Sequence, residues 1–371
     1  MKKYFLLLFL FPCYLLCGQS HAIDSLLTIL KTAHEDTNKV NTLNALSKEL
    51  YLKSDYEKAK KHTSEALTLA QKINFKKGQA KALNNIGNVY YYQGDYPKAL
   101  ENHFASLKLC EEIGDKKGIA GCYNNIGLVY ENQGDYPKAL ENHFASLKIK
   151  EEIGDKNGIA QSYMNIGIVY DDQGDYPKAL KNHFASLKLS EEIGDKNGIA
   201  QSYNNIGSFY YSQGDYPKAL ENYFASLKLR EEIGDKKGIA GCYNNIGLVY
   251  DDQGDYPKVL ENYFASLKIK EEIGDKDGIA TSYINIGSLN LKLHQINTAK
   301  DYLNKALTLS RKIGSKEDLR DSYSGLYAAD SASGDFKNAM MHYKQYILYR
   351  DSLINEENTK KNRANPNAIR V

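Results

Sequence analysis

The chain has 371 residues, of which 25% are charged and 42% hydrophobic, a composition that suits a soluble helical protein. Its 48 basic and 46 acidic residues leave a formal net charge of +2, so no electrostatic pull toward nucleic acid is implied. Five cysteines stand at no metal-ligand or disulfide-framework spacing, which points away from a zinc site or a disulfide scaffold.

At the N-terminus, Lys2 and Lys3 precede an apolar run from Tyr4 to Leu16, broken by Pro12. That run is too short for a stable membrane span and right for a signal peptide over residues 1–22, cleaved after Gln19 or Ala22. A lipoprotein would use Cys17 as its lipidated residue, but Leu16 is bulky where such sites carry a small residue, so the plain signal is preferred. No other segment approaches membrane-spanning length. The mature protein is expected to be exported, to the periplasm or outside the cell, with no membrane span. Loss of Cys13 and Cys17 with the signal leaves Cys110, Cys122 and Cys242. Cys122 and Cys242 hold one slot three repeats apart, filled elsewhere by Ser162 and Ser202, so they read as small packing residues too distant to bridge.

A packing helix is expected in 23–36, around Ser25–Ala33, and eight tandem 40-residue units follow over 37–356 without insertion or deletion. With Ala80 as position 1 of its unit, position 4 is Leu43, Leu83, Tyr123, Tyr163, Tyr203, Tyr243, Tyr283 and Tyr323. Copies within 77–276 are nearly identical, and the stretch 121–130 returns at 241–250, the mark of a recent three-unit duplication. In 117–156, Tyr123, Ile126, Gly127 and Tyr130 fall at the spacing of one helical face. Gly134 breaks that pattern, Asp135 is a good N-cap and Pro137 suits a first turn. A second face follows in Tyr136, Ala139, Leu140, His143, Phe144 and Leu147, before Gly154 as a C′ residue and Asp155 as the next cap. Each unit is therefore a helix hairpin that cannot bury its own apolar face. The fold class is an all-α solenoid of stacked antiparallel hairpins, ending in a polar C-terminal tail over 357–371.

The unit resembles the tetratricopeptide repeat, whose pattern of aromatic, Leu-Gly and Tyr, then Ala, aromatic and small residues, is matched by Tyr123, Ile126, Gly127, Tyr130, Ala139, His143 and Ser146. The resemblance implies a right-handed superhelix. The 40-residue period exceeds the usual 34 and EEIGDK replaces the closing proline. Both departures are similar to the long-helix repeats of spindle-orienting scaffolds and, more loosely, of kinesin light chains. Those families bind peptides or protein partners in a superhelical groove.

The same resemblance implies that positions 5, 6, 9, 12 and 13 of each first helix face the groove. Position 6 carries Asn85, Asn125, Asn165, Asn205, Asn245 and Asn285. Position 5 adds Asn84, Asn124, Asn204 and Asn244, interrupted by Met164 and Ile284. A carboxamide offers donor and acceptor together, so such a ladder can pair with the backbone of an extended peptide, or it can bond the neighbouring helix and lock the stack. Glu131, Asp171, Asp172, Asp251 and Asp252 make the expected groove acidic, with Tyr91, Tyr92 and Tyr211 adding aromatic contacts. A basic or amphipathic extended segment is the expected ligand. The basic clamp that chaperone-binding relatives use for a terminal carboxylate is missing at positions 5 and 6 of the near-identical units.

The ladder of His103, His143 and His183 shares its slot with Tyr223 and Tyr263. Equivalent residues on successive repeats stand on the order of 10 Å apart, whereas zinc ligands each lie about 2 Å from the ion. They are read as packing residues, with no metal or cofactor. Carboxylate pairs such as Glu151 and Glu152 recur on an exposed helix end, and no nucleophile elbow, phosphate loop or HExxH is present, so no enzyme is expected. The stretch YKQYILYRDSLINEENTKK resembles the junction below exported repeat domains of bacterial sensor histidine kinases, without the kinase. It implies a signal-input module or the remnant of a truncated sensor. A structural assembly scaffold is the alternative from another class.

Overall fold

The computed structural model describes residues 20–364, and their side chains from 22 to 355. Residues 1–19, with Cys13 and Cys17 and most of the expected signal segment, and residues 365–371 of the expected tail lie outside the described residues. Among the described residues there are seventeen helices and no strand. The chain divides into two compact units, Met1–Asn132 and Gln133–Val371.

In the first unit, α1 (Ser20–Thr32) precedes the hairpins α2 (Thr37–Tyr51) with α3 (Tyr56–Lys72) and α4 (Lys76–Tyr92) with α5 (Tyr96–Glu112), then α6 (Lys116–Asn132). The apolar face of α1, Ile23, Leu26 and Leu30, covers Leu46, Leu50 and Tyr51, so α1 caps the stack. The second unit begins with α7 (Tyr136–Glu152). Hairpins follow as α8 (Lys156–Asp172) with α9 (Tyr176–Ile193), α10 (Lys196–Ser212) with α11 (Tyr216–Ile233), and α12 (Lys236–Gln253) with α13 (Tyr256–Ile273). The last two are α14 (Lys276–Lys292) with α15 (Ile296–Ile313), and α16 (Lys316–Ala332) with α17 (Phe336–Ala364).

From α3 onward, each connection closes one helix and opens the next within three residues. Gly114 takes φ 67° while Asp115 N–H bonds the Cys110 carbonyl, a Schellman closure. The Asp115 carboxylate then accepts from Gly118 N–H at 3.1 Å as the following N-cap. Ser54, Asn74 and His294 hold the left-handed position where most repeats use glycine.

Close packing needs a small residue on each first helix. A Cβ on Gly87 would lie 2.6 Å from the His103 ring, and one on Gly167 would lie 2.6 Å from the His183 ring. Opposite them the second helices bury Ala99 and Ala179 completely. The second-helix face differs from the periodicity reading by losing Phe144 and gaining two polar residues. Phe144 is 45% exposed, while Ser146 and Lys150 are buried with Ala139, His143 and Leu147. The buried stripe runs 139, 143, 146, 147, 150, a face of period 3.6 on whose flank Phe144 falls.

Within each unit the first helices also touch one another: α2 with α4 and α4 with α6, then α8 with α10, α10 with α12 and α14 with α16. The backbones of the second helices stay apart. The first helices therefore form the closely packed side of each unit.

Candidate functional site

The carboxamides expected to line the groove are tied together by a bond that recurs at a separation of 41 residues. Asn125 Nδ2 donates to Asn84 Oδ1 at 3.0 Å, Asn245 to Asn204 at 3.1 Å, and Asn285 to Asn244 at 3.0 Å. Asn85 does the same toward α2, donating to the Asn44 carbonyl at 2.9 Å. Asn84 Oδ1 also meets His103 Nδ1 at 3.1 Å. Burial holds the His103 imidazole down to about 4, so it is neutral in the fold at pH 7. Asn124 and Asn165 are buried on α6 and α8.

A second rung lies two helical turns further on, again at a separation of 41. Asn132 Nδ2 donates to the Tyr91 hydroxyl at 2.9 Å, and Lys292 Nζ pairs with Asp251 Oδ2 at 2.6 Å. Tyr211 hydrogen-bonds Asp252. Burial pushes the Tyr91 and Tyr211 phenols up to about 12, helped by the charges of Glu131 and Asp252. Tyr92 is exposed and stacks on Tyr51 with ring centroids 5.6 Å apart. Asp172 and Asp252 are exposed, whereas Glu131, Asp171 and Asp251 are half-buried. In the second unit Asp171 and Asp172 stand near the end of α8 and Asp251 and Asp252 near the end of α12, with Asp251 paired to Lys292 and Asp171 to His183.

These rungs fix one part of each amide and leave the rest. In Asn245 and Asn285 one N–H is spent on the previous repeat, and that bond leaves the second N–H and the Oδ1 unused. The arrangement can hold an extended backbone by alternating donors and acceptors. Among the described residues no group of three or more His, Cys, Asp or Glu is placed to hold a metal ion, and no helix is long and apolar enough to cross a membrane.

Periodicity did not point to a second polar slot, between position 31 of one repeat and position 3 of the next. Cys110 and Cys122 share it and hydrogen-bond one another, which lowers the Cys110 thiol and, with burial, raises that of Cys122. Lys150 Nζ fills the slot against Ser162 Oγ at 2.9 Å, and burial pulls its ammonium down to about 8. Lys270 repeats that bond with Ser282 at 2.9 Å. Arg230 bonds Gln201 Oε1 at 2.9 Å and pairs with Asp235. The available signal was the variation of position 31 among Cys, Lys, Ser and Arg inside otherwise identical copies.

The sequence matches the tetratricopeptide repeat family over residues 41–112, 78–152, 118–192 and 198–272, and again over 280–313. Comparison with curated proteins finds no match. Among solved structures, the apo quorum sensor NprR from B. thuringiensis is 18% identical, with 89% of this chain and 98% of that one covered at a TM-score of 0.62. A Rap protein complexed with Competence and Sporulation Factor is 15% identical, with 91% and 99% covered at a TM-score of 0.60. A signal-transduction ATPase of the STAND class with a tetratricopeptide repeat sensor, from Pyrococcus horikoshii, is 16% identical over 92% of this chain and 55% of that one, at a TM-score of 0.62. At these identities the likeness is one of fold.

Proposed function

The chain belongs to the tetratricopeptide repeat family, and from that premise we propose that it is an exported, non-enzymatic protein that binds an extended peptide or protein segment along the flank of its first helices. The observation that carries this reading is the carboxamide ladder, in which Asn125, Asn245 and Asn285 each donate to the previous repeat and keep an Oδ1 that this bond does not use. A signal-input role is part of the proposal. It is supported by folds similar to a quorum sensor, to a Rap protein complexed with Competence and Sporulation Factor, and to a repeat sensor of a signal-transduction ATPase. The acidic flank of the second unit favours a basic or amphipathic segment, since opposite charges steer and select partners.

The test is a combined substitution of Asn125, Asn165, Asn205 and Asn245 by Ala, with binding read on an array of short extended peptides of basic, neutral and acidic composition. Binding lost with helicity unchanged supports the flank as the site. Tightest binding of the acidic peptides would sink the charge preference.

One observation favours a second reading, assembly through the opposite side. Phe144, Phe184, Phe224 and Phe264 stand 41–46% exposed at the same position of successive second helices, an apolar stripe of the kind that marks contact surfaces. Substituting these four by Ser separates the readings: a scaffold loses its self-association or partner and keeps the peptide array signal.

A further inference from the structure

The steps between first helices are not equivalent. From α4 to α6, α10 to α12 and α12 to α14, both rungs are closed by partners 41 residues apart. From α8 to α10 neither is. Met164 stands opposite Asn205, where an asparagine would accept, and the Asn205 Nδ2 is buried with no hydrogen-bond partner. The Asn205 carbonyl oxygen is held from below by Gln201 Nε2 at 3.1 Å, which fixes the orientation of the amide. At the second rung Ser212 turns its hydroxyl back to the Phe209 carbonyl at 2.8 Å. Asp171 then has one oxygen on His183 Nε2 at 2.7 Å and the other, Oδ1, buried without a partner. Asp251 also has a buried Oδ1 without a partner, but Lys292 meets its charge.

A buried donor and a buried acceptor left unmade are costly, and each calls for something to complete it, a water, an ion or a ligand. Resting on the flank reading above, we infer that the α8–α10 step is the anchoring subsite for an extended peptide. Asn205 Nδ2 donates to a main-chain carbonyl of the peptide, and Asp171 Oδ1 accepts from a backbone N–H or a lysine or arginine side chain. Met164 and Asp171 are seven residues apart on α8, a rise of roughly 10 Å, which about three residues of extended chain span. Met164, an unbranched and adaptable side chain, swings aside to admit the segment, and Ile168 between the rungs offers it an apolar contact.

Met164→Asn supplies the missing acceptor and closes the rung from within. The probe is a fluorescein-labelled dodecapeptide of alternating Lys and Leu, with a Glu and Leu counterpart as control. Expected are a higher melting temperature and at least a tenfold loss of affinity for the Lys and Leu probe. Asn205→Asp, which replaces the donor by an acceptor, is expected to lose at least tenfold with helicity unchanged, so the inference stands or falls even if Met164→Asn misfolds. Undiminished binding in both variants, with loss on substituting Asn204 and Asn245 instead, overturns this subsite and leaves the flank reading intact. Failure of the native protein to bind either probe overturns both.

Discussion

The steps α4–α6 and α8–α10 are built from the same kind of helices, turns and small-residue contacts, and they differ in how their polar groups are spent. In the first, Asn84 serves both Asn125 and His103, and Tyr91 serves Asn132. In the second, His183 is held by the Asp171 carboxylate, and the amide of Asn205 finds nothing on Met164. Apolar packing builds the stack in both cases. The polar rungs are then free to be closed for rigidity or left open for recognition.

The largest effects are expected where the two steps are alike. Gly87→Val and Gly167→Val each drive a branched side chain into a histidine ring that the built Cβ already approaches to 2.6 Å. Each is expected to cost about 3 kcal/mol in urea unfolding, and unequal losses would show that the two steps pack differently after all. Next comes the closed step alone. The His103 imidazole falls from 6.5 to about 4 in the fold. Its contribution is therefore present above pH 6.5 and lost as pH falls toward 4, by about 3 kcal/mol in total. His103→Tyr, the residue at that slot in Tyr223, should flatten this part of a melting-temperature profile, and an unchanged acid limb would assign the loss elsewhere.

The rungs themselves give a smaller contrast. Asn125→Ala removes a bonded donor and is expected to cost about 2 kcal/mol, whereas Asn205→Ala removes an unpaired donor and only the local bond from Gln201, and should cost about 0.5 kcal/mol. Equal costs would erase the distinction between closed and open rungs. Smallest is His294→Gly at a turn outside both steps, where a non-glycine residue holds φ 57°. It is expected to gain about 1 kcal/mol, read as a raised melting temperature.

The hairpin, its caps and its small-residue contacts were legible in the sequence because each depends on residues a few positions apart. Asp135 accepts from Lys138 N–H, Gly154 takes φ 70° and the His103 ring lies against Gly87. Phe144 went astray because periodicity places a face only to within about one residue on the helical wheel, and the flank of the stripe is where such an error falls.

What the sequence determined by itself was the repeat: a 40-residue unit whose apolar face can be buried only by another copy. What the tertiary structure decided was which polar groups remain for a ligand. That depends on the stagger between neighbouring first helices, which sets residue n opposite n + 41 and joins Asn84 to Asn125 while setting Asn205 opposite Met164. A period fixes how often a position recurs. The offset at which two copies meet is set by side-chain packing between helices, and only the folded stack contains it.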